Sequence, residues 1–102
     1  MVTSAQVREW CLGMPGVEEK PHFDRAAFRT KRAIFCTLLA DGSSLNLKLS
    51  PVDQSVFAEI DPQAIFPVPN KWGLQGWTTF VLDSVAEDVM RHGLEMAHGL
   101  AK

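Results

Sequence analysis

The chain has 102 residues, of which 46% are apolar and 22% charged, a composition typical of one ordinary globular domain rather than two. A chain of this length buries roughly two-thirds of its unfolded surface, enough for one core without disulfides or metals, so we expect a single domain over residues 1–102. The net charge of -2 excludes a histone-like or polybasic protein, and the total charge by itself indicates no partner.

The N-terminal segment has the pattern of an amphipathic helix. Thr3 and Gln6 have the spacing of a capping box, and apolar side chains then recur every three or four residues. Gly13 and Pro15 end this pattern, because glycine tolerates the left-handed conformation after a helix and proline cannot extend one. The sequence predicts a first helix over about residues 3–13.

Between residues 23 and 49 the apolar period changes to two, which predicts β-strands. A short apolar run at residues 34–39 is followed by the turn signal Asp41-Gly42, and leucines then alternate with polar residues. We expect a three-strand antiparallel meander whose first connection exposes Lys31 and Arg32. The leucines expected to face the core are Leu45, Leu47 and Leu49.

Two short helices are predicted in the middle of the chain. Ser50 and Pro51 have the residue types of an N-cap and a first helical position, and Asp61-Pro62 repeats the signal before a helix at residues 63–66. Two further prolines then require an extended crossing. The apolar face expected for the first of these helices consists of Val52, Val56, Phe57 and Ile60.

A strand and a long helix are predicted to end the chain. Residues 77–82 are rich in β-branched and aromatic side chains, and Ser84 with Glu87 has the spacing of a second capping box. The element order predicts an α+β two-layer domain: an antiparallel sheet of about five strands, N-terminal and C-terminal helices, and one or two short helices between. The apolar stripe expected on the last helix is Val85, Val89, Met96 and Leu100, with Met90, Leu94 and Ala97 beside it.

The familiar local motifs of catalysis and cofactor binding are absent from the sequence. Cys11 and Cys36 lack metal-ligand spacing, and we expect both to be reduced core residues. His92 and His98 lie on different faces of a helix and cannot share one ion. We therefore expect no catalytic residue, no metal and no cofactor. The sequence also has no 18-residue apolar segment and no signal-peptide pattern, so we expect no membrane segment and a cytoplasmic location.

Charge is distributed unevenly along the chain. Residues 20–48 hold six basic and two acidic side chains, a local +4, whereas residues 49–102 hold three basic and seven acidic ones, a local -4. Alternate charges on a meander point to one face, so a basic strip that could neutralise phosphates is available. The same charges could instead solubilise the outer face of the sheet and protect its edges.

The heptad Lys-Trp-Gly-Leu-Gln-Gly-Trp, from Lys71 to Trp77, is the most distinctive local pattern. Its two tryptophans flank a Gly-x-x-Gly turn and could stack on a base or planar ligand, or could anchor the turn to the core. We expect Trp77 in the core and Trp72 as the contact residue.

The polar run at residues 18–25 could supply a carboxylate and an imidazole for acid–base chemistry, but we interpret it as a solvated loop with local ion pairs. Within it, His22 is the best titratable candidate if a pocket exists beside Trp10 or Trp72.

Five segments form a combination more specific than any one of them: LGMPGVEE at residues 12–19, HF at 22–23, NLKLSP at 46–51, KWG at 71–73 and GWT at 76–78. Together they resemble the MmcQ/YjbR family of small bacterial proteins over essentially the whole chain. The resemblance implies a CyaY-like α+β domain with an antiparallel sheet. It also implies a largely uncharacterised function: a DNA-binding arrangement has been proposed for the family, and no catalytic residue set is carried over.

The leading hypothesis for function is a non-enzymatic DNA-binding module. Four basic residues of the meander would contact phosphates, and Lys71 with Trp72 would supply a second contact loop. The phosphate contacts expected on the meander are Arg29, Lys31, Arg32 and Lys48.

Two alternatives remain open at this stage. One is a protein that binds or sequesters a small molecule in an aromatic pocket, and the other is a protein-interaction adaptor. The residues expected to line the pocket are Trp10, His22, Phe23, Trp72 and Trp77.

Overall fold

The computed structural model describes residues 1–102 and has α+β architecture, as the sequence predicts. No helix in it has both the length and the apolar character needed to cross a membrane. In chain order the elements are α1 (Ser4–Leu12), β1 (Glu18–His22), β2 (Arg25–Arg29), β3 (Ile34–Leu39), β4 (Ser44–Lys48), α2 (Pro51–Ile60), β5 (Ile65–Pro67), α3 (Lys71–Leu74), β6 (Trp77–Val81) and α4 (Glu87–Ala101).

The six strands form one antiparallel sheet in the order β1-β2-β3-β4-β6-β5. One row of paired residues crosses the whole sheet and is buried from β3 to β5, where it forms the centre of the core. The three leucines of β4 and its end are buried as predicted, because alternate residues of a strand point to the same face. The core row is Pro21, Ala26, Leu38, Leu45, Phe80 and Ile65.

The neighbouring row defines the opposite side of the sheet, which we call the outer face. Its members are polar or partly exposed in most strands, and none belongs to the hydrophobic core cluster. The outer row is Lys20, Ala27, Thr37, Asn46, Thr79 and Phe66.

Helices α1, α2 and α4 cover the core side of the sheet. The Thr3 hydroxyl and the Gln6 side chain form the predicted capping box at the start of α1. Helix α4 approaches the sheet closely at Gly93, where an added Cβ would lie 3.1 Å from Phe80 Cζ. Phe57 of α2 packs edge-to-face against Phe80, with ring centroids 5.9 Å apart. The sheet therefore buries one face under helices and leaves the outer face without a covering layer.

Two segments that the sequence predicts as a loop and as a helix are strands that pair with β2 and β6, so the sheet has six strands. The polar run at residues 18–25, expected to be a solvated loop, contains strand β1, whose five residues are all exposed. It pairs with β2 along its length, and an ion pair between Arg8 Nε and Glu19 Oε1 at 2.9 Å ties it to α1. The helix predicted at residues 63–66 is wrong: a turn there leads into the short strand β5, which pairs with β6.

Two predicted apolar faces differ from the packed ones. On α2 only Phe57 is buried, while Val52, Val56 and Ile60 are exposed. Helix α4 begins at Glu87 after Ala86, which provides no side-chain cap, so the predicted capping box at Ser84 does not form. On α4, Met96 and Leu100 of the predicted stripe are exposed, whereas the residues predicted beside it, Met90, Leu94 and Ala97, are buried. The buried residues are Met90, Gly93, Leu94, Ala97, His98 and Ala101.

Cys11 of α1 and Cys36 of β3 are free, fully buried thiols, as expected from the sequence. Burial raises the pKa of Cys36 well above its ordinary value, and the neighbouring Cys11 thiol raises it further. The Cys36 thiol therefore stays protonated in the core, and both cysteine side chains pack as small apolar groups.

Candidate functional site

A groove of about 240 Å³ lies between α3 and the outer face of the sheet. Five strands, the residue after β5 and helix α3 contribute to it, so no single stretch of sequence contains it. One wall is aromatic and apolar, and the floor carries a guanidinium group, an amide and a hydroxyl. The lining residues are His22, Arg25, Thr37, Asn46, Val68, Trp72 and Trp77.

The two glycines of the heptad hold α3 against the sheet. An added Cβ would lie 1.9 Å from the Val68 carbonyl oxygen at Gly73 and 1.8 Å from the Leu49 carbonyl oxygen at Gly76. Only glycine permits such backbone contact, and Gly76 also has a φ of +107°. The Gln54 amide of α2 donates to the Gly73 carbonyl at 2.9 Å. The heptad therefore forms a short helix rather than a flexible turn.

Trp72 is presented to solvent by this tightly held helix. The Asn70 side chain caps α3 by accepting from the Trp72 backbone N–H at 2.9 Å. The Trp72 side chain remains 50% exposed although it lines the groove, and Lys71 Nζ lies 5.8 Å from the centre of its ring. Trp77 faces the same groove and is only partly buried. It lies outside the hydrophobic core cluster, so the prediction that Trp77 belongs to the core is wrong.

The floor of the groove is organised by hydrogen bonds across the strands. Arg25 Nε donates to the Thr37 hydroxyl at 2.9 Å, and its Nη2 donates to the Thr37 carbonyl at 3.2 Å. Asn46, the cross-strand partner of Thr37, accepts from the Thr79 hydroxyl through Oδ1 at 2.8 Å. These bonds fix the directions of both polar groups before any ligand arrives.

The predicted phosphate contacts on the meander gather at one end of the sheet. Lys31 and Arg32 are exposed in the β2–β3 connection, as predicted, and the guanidinium of Arg29 donates to the Lys31 carbonyl at 3.3 Å. Arg32 donates to the Lys102 carbonyl beyond α4, and it lines the same cleft as Lys48. Arg32 therefore has a structural partner, whereas the Lys31 side chain makes no hydrogen bond or ion pair within the protein.

Basic side chains dominate the outer face because strand positions of the same parity point the same way. The only acidic strand residue of that parity is Glu18, which lies opposite Arg29 across the β1–β2 pair. Four positive charges thus face one negative charge on a surface that belongs to a protein of net charge -2. The basic strand residues of this parity are Lys20, Arg25, Arg29 and Lys48, of which Lys48 also borders the cleft beside the C-terminal end of α4.

The five aromatic and histidine residues predicted to line one pocket are divided among three places. His22, Trp72 and Trp77 share the groove. Phe23 does not line it: the ring is 95% exposed in the β1–β2 turn, in edge-to-face contact with His22 at 5.0 Å. Trp10 lies on the helical side, where Arg91 of α4 stacks 5.2 Å from its ring centre. The pocket as predicted is therefore not assembled.

The sequence does not predict four of the residues that line the groove: Arg25, Thr37, Asn46 and Val68. Thr37 lay inside an apolar run and Asn46 between two leucines, so each looked like an ordinary strand residue. Strand alternation could have assigned both to the outer face, but their proximity to Trp72 depends on the path of the chain from β5 through α3.

Comparison with known proteins agrees with the architecture. The model of the YjbR family matches residues 12–100. A crystal structure of a Deinococcus radiodurans protein with a DUF419 domain superposes with a TM-score of 0.83 at 24% identity, covering 98% of this chain and 78% of that one. A Pseudomonas syringae protein superposes with a TM-score of 0.74 at 14% identity, covering 99% of this chain and 100% of that one. No curated protein sequence matches the chain. Because the family model covers nearly all of the sequence, the chain belongs to the YjbR family.

Proposed function

We propose that this protein is a non-enzymatic nucleic-acid-binding domain that holds a single strand on the outer face of its sheet. The observation that carries the proposal is the half-exposed Trp72 at a polar groove on a face where basic residues outnumber acidic ones four to one. Aromatic rings beside a basic track are the two elements that bind single strands without regard to sequence.

Each element suits one part of a nucleic acid. The indole of Trp72 offers a face on which a base can stack, and Trp77 forms the adjacent wall of the groove. The basic strand residues and exposed Lys31 lie in positions to neutralise phosphates along the strand. A duplex hides its base faces and could use only the phosphate contacts, so the geometry favours a single strand over the duplex.

The size of this groove favours contact with a single ring system over enclosure of a whole small molecule. Its volume of about 240 Å³ lies below the roughly 300–1,000 Å³ that encloses a drug-sized ligand. A groove of this size accommodates one ring system whose remaining parts extend over the surface. A base within a longer strand has that form.

The experiment is a fluorescence anisotropy titration of a labelled oligothymidylate of about 12 nucleotides, and of a matched duplex, at two salt concentrations. About four phosphate contacts on a single strand predict a slope of log affinity against log salt of about -3. Binding of the single strand in preference to the duplex, with this slope, would support the proposal. No binding of either at low salt and ~100 μM protein would refute it, since even non-specific binders saturate appreciably there.

A pair of charge reversals tests the surface. Lys31→Glu removes a free cation near the outer face, whereas Arg91→Glu makes the same charge change on the helical side beside Trp10. We expect Lys31→Glu to weaken binding and to reduce the steepness of the salt dependence, and Arg91→Glu to leave the slope unchanged. Equal losses from both variants would show that net charge, not this surface, controls binding.

A further inference from the structure

We infer that the groove is a subsite for one unpaired base and that it prefers guanine to adenine, an inference that rests on the proposed function. It follows from the hydrogen-bonding groups that Arg25 and Asn46 have left to offer after their bonds within the protein are counted.

Arg25 offers donors in a fixed direction. Its Nε and Nη2 are already bound to Thr37, which holds the planar guanidinium over β3. The Nη1 group makes no hydrogen bond within the protein, and a guanidinium has no acceptor. Arg25 therefore presents only N–H groups to a ligand in the groove.

Asn46 retains more donors than acceptors for a ligand. An asparagine amide has two N–H donors and an oxygen with two lone pairs, and it pairs with adenine by using one donor and one lone pair. Here one lone pair of Oδ1 already accepts the Thr79 hydroxyl proton at 2.8 Å, while the amide nitrogen makes no hydrogen bond within the protein. Two N–H donors and one lone pair therefore remain for a ligand.

The two donors are close enough to address one base. Asn46 lies directly opposite Thr37 in the β3–β4 pair, and the Arg25 guanidinium is bound to that same threonine. Adjacent strands are separated by about 4.8 Å, so the Arg25 and Asn46 groups flank a single cross-strand position. Trp72 and Trp77 line the same groove and can contact the face of a ring whose edge meets these donors.

A pair of donors selects a base edge with two neighbouring acceptors. Guanine presents O6 and N7 side by side on its major-groove edge, and arginine commonly donates to these two atoms. Adenine presents the N6 amino donor beside N7, so its amino group would meet the donors of Arg25, and only the remaining lone pair of Asn46 Oδ1 could accept it. The excess of donors in the groove therefore favours guanine over adenine.

The test compares oligothymidylates that carry one central guanine, adenine or 7-deazaguanine, by competition against the labelled all-thymine strand. We expect the guanine strand to bind about tenfold more tightly than the adenine strand. Replacing N7 by carbon should remove most of that advantage, because 7-deazaguanine keeps its size and stacking but has one acceptor fewer. A single guanine also avoids the association of guanine-rich strands.

Thr79 provides a variant that changes the specificity without touching the base. Thr79→Val removes the hydroxyl that occupies one lone pair of Asn46 Oδ1, so both lone pairs become available and the amide can pair more readily with adenine. We expect the guanine preference to fall towards one in Thr79→Val and to persist in Thr79→Ser, which keeps the hydroxyl. Thermal unfolding of both variants verifies that they are folded.

The outcomes separate the inference from the proposed function. If the all-thymine strand binds with the expected salt dependence but guanine and adenine strands compete equally, the base subsite is refuted and the nucleic-acid-binding function stands. An unchanged guanine preference in Thr79→Val would also overturn it. If no strand binds the wild-type protein, the proposed function itself fails and the base subsite fails with it.

Discussion

Gly76 is the residue on which the placement of Trp72 most depends, and Gly76→Ala is the most informative single substitution. The backbone there has a φ of +107°, and the new methyl carbon would lie 1.8 Å from the Leu49 carbonyl oxygen. No side-chain rotation can relieve this contact, since both atoms are attached to or part of the backbone. The α3 segment and the end of β4 must therefore move apart.

The cost has two parts. A positive φ costs a residue with a Cβ about 1–2 kcal/mol. Separation of the two segments also breaks the bond from the Leu49 N–H to the Gly76 carbonyl, now 3.0 Å, and leaving such buried groups unpaired costs about 1–3 kcal/mol. We expect Gly76→Ala to lower the free energy of unfolding by about 2–5 kcal/mol, a large part of the 5–15 kcal/mol typical of a domain.

Substitutions at two other glycines serve as controls for Gly76→Ala. Gly16 has a φ of +73° but no atom within 4 Å of an added Cβ, so Gly16→Ala should cost only the conformational 1–2 kcal/mol. Gly99 lies in α4 with open space and an ordinary φ, so Gly99→Ala should stabilise by about 0.5–1 kcal/mol. Urea unfolding followed by tryptophan fluorescence measures all three. Equal losses for Gly76→Ala and Gly16→Ala would refute the argument from backbone contact.

Three further outcomes are expected. Trp72→Ala should weaken single-strand binding by about 1–3 kcal/mol through loss of stacking, while Leu74→Ala, an exposed control on the same short helix, leaves the anisotropy titration unchanged. Stability should fall at alkaline pH, because burial raises the pKa of Cys36 and the unfolded chain therefore releases this proton first, above about pH 8.5. The free energy of unfolding should then drop by up to about 1.4 kcal/mol per pH unit, and urea titrations of Cys36→Ala should lack this slope. Arg32→Ala should destabilise the domain by about 1 kcal/mol through loss of its bond to the carbonyl beyond α4, and an equal loss in Lys31→Ala, measured the same way, would contradict that role.

A double charge reversal of Lys31 and Arg32 would not be a clean test of binding, because Arg32 has a structural role that only the tertiary structure shows. Both residues are exposed turn cations in the sequence, and nothing in their neighbours distinguishes them. The fold brings the C-terminal end of α4 against the turn, where Arg32 and the Thr30 hydroxyl bind its carbonyl groups. Lys31 alone remains free to be changed without loss of a structural bond.

Local patterns in the sequence were sufficient for most of the elements. The alternation of Leu45, Leu47 and Leu49 predicts the face of β4 that is buried, because the side-chain period of a strand is two. Thr3 and Ser50 mark the starts of α1 and α2 through side chains that accept backbone N–H groups within three residues. Such signals are confined to neighbours along the chain, so they need no knowledge of the rest of the fold.

Only the tertiary structure determines that β1 is a strand and that the groove is assembled. The residues of β1 are all exposed and show no apolar alternation, so this segment is a strand only because β2 offers it a partner. The groove joins His22, Asn46 and Trp72 across segments far apart in sequence, and strand pairing together with the path of the chain through α3 brings them to one side of the sheet. Trp10 has the same residue type as Trp72 but lies under the opposite face. Sequence alone cannot assign such residues to a side, because the side depends on which strands pair and on where the chain crosses between layers.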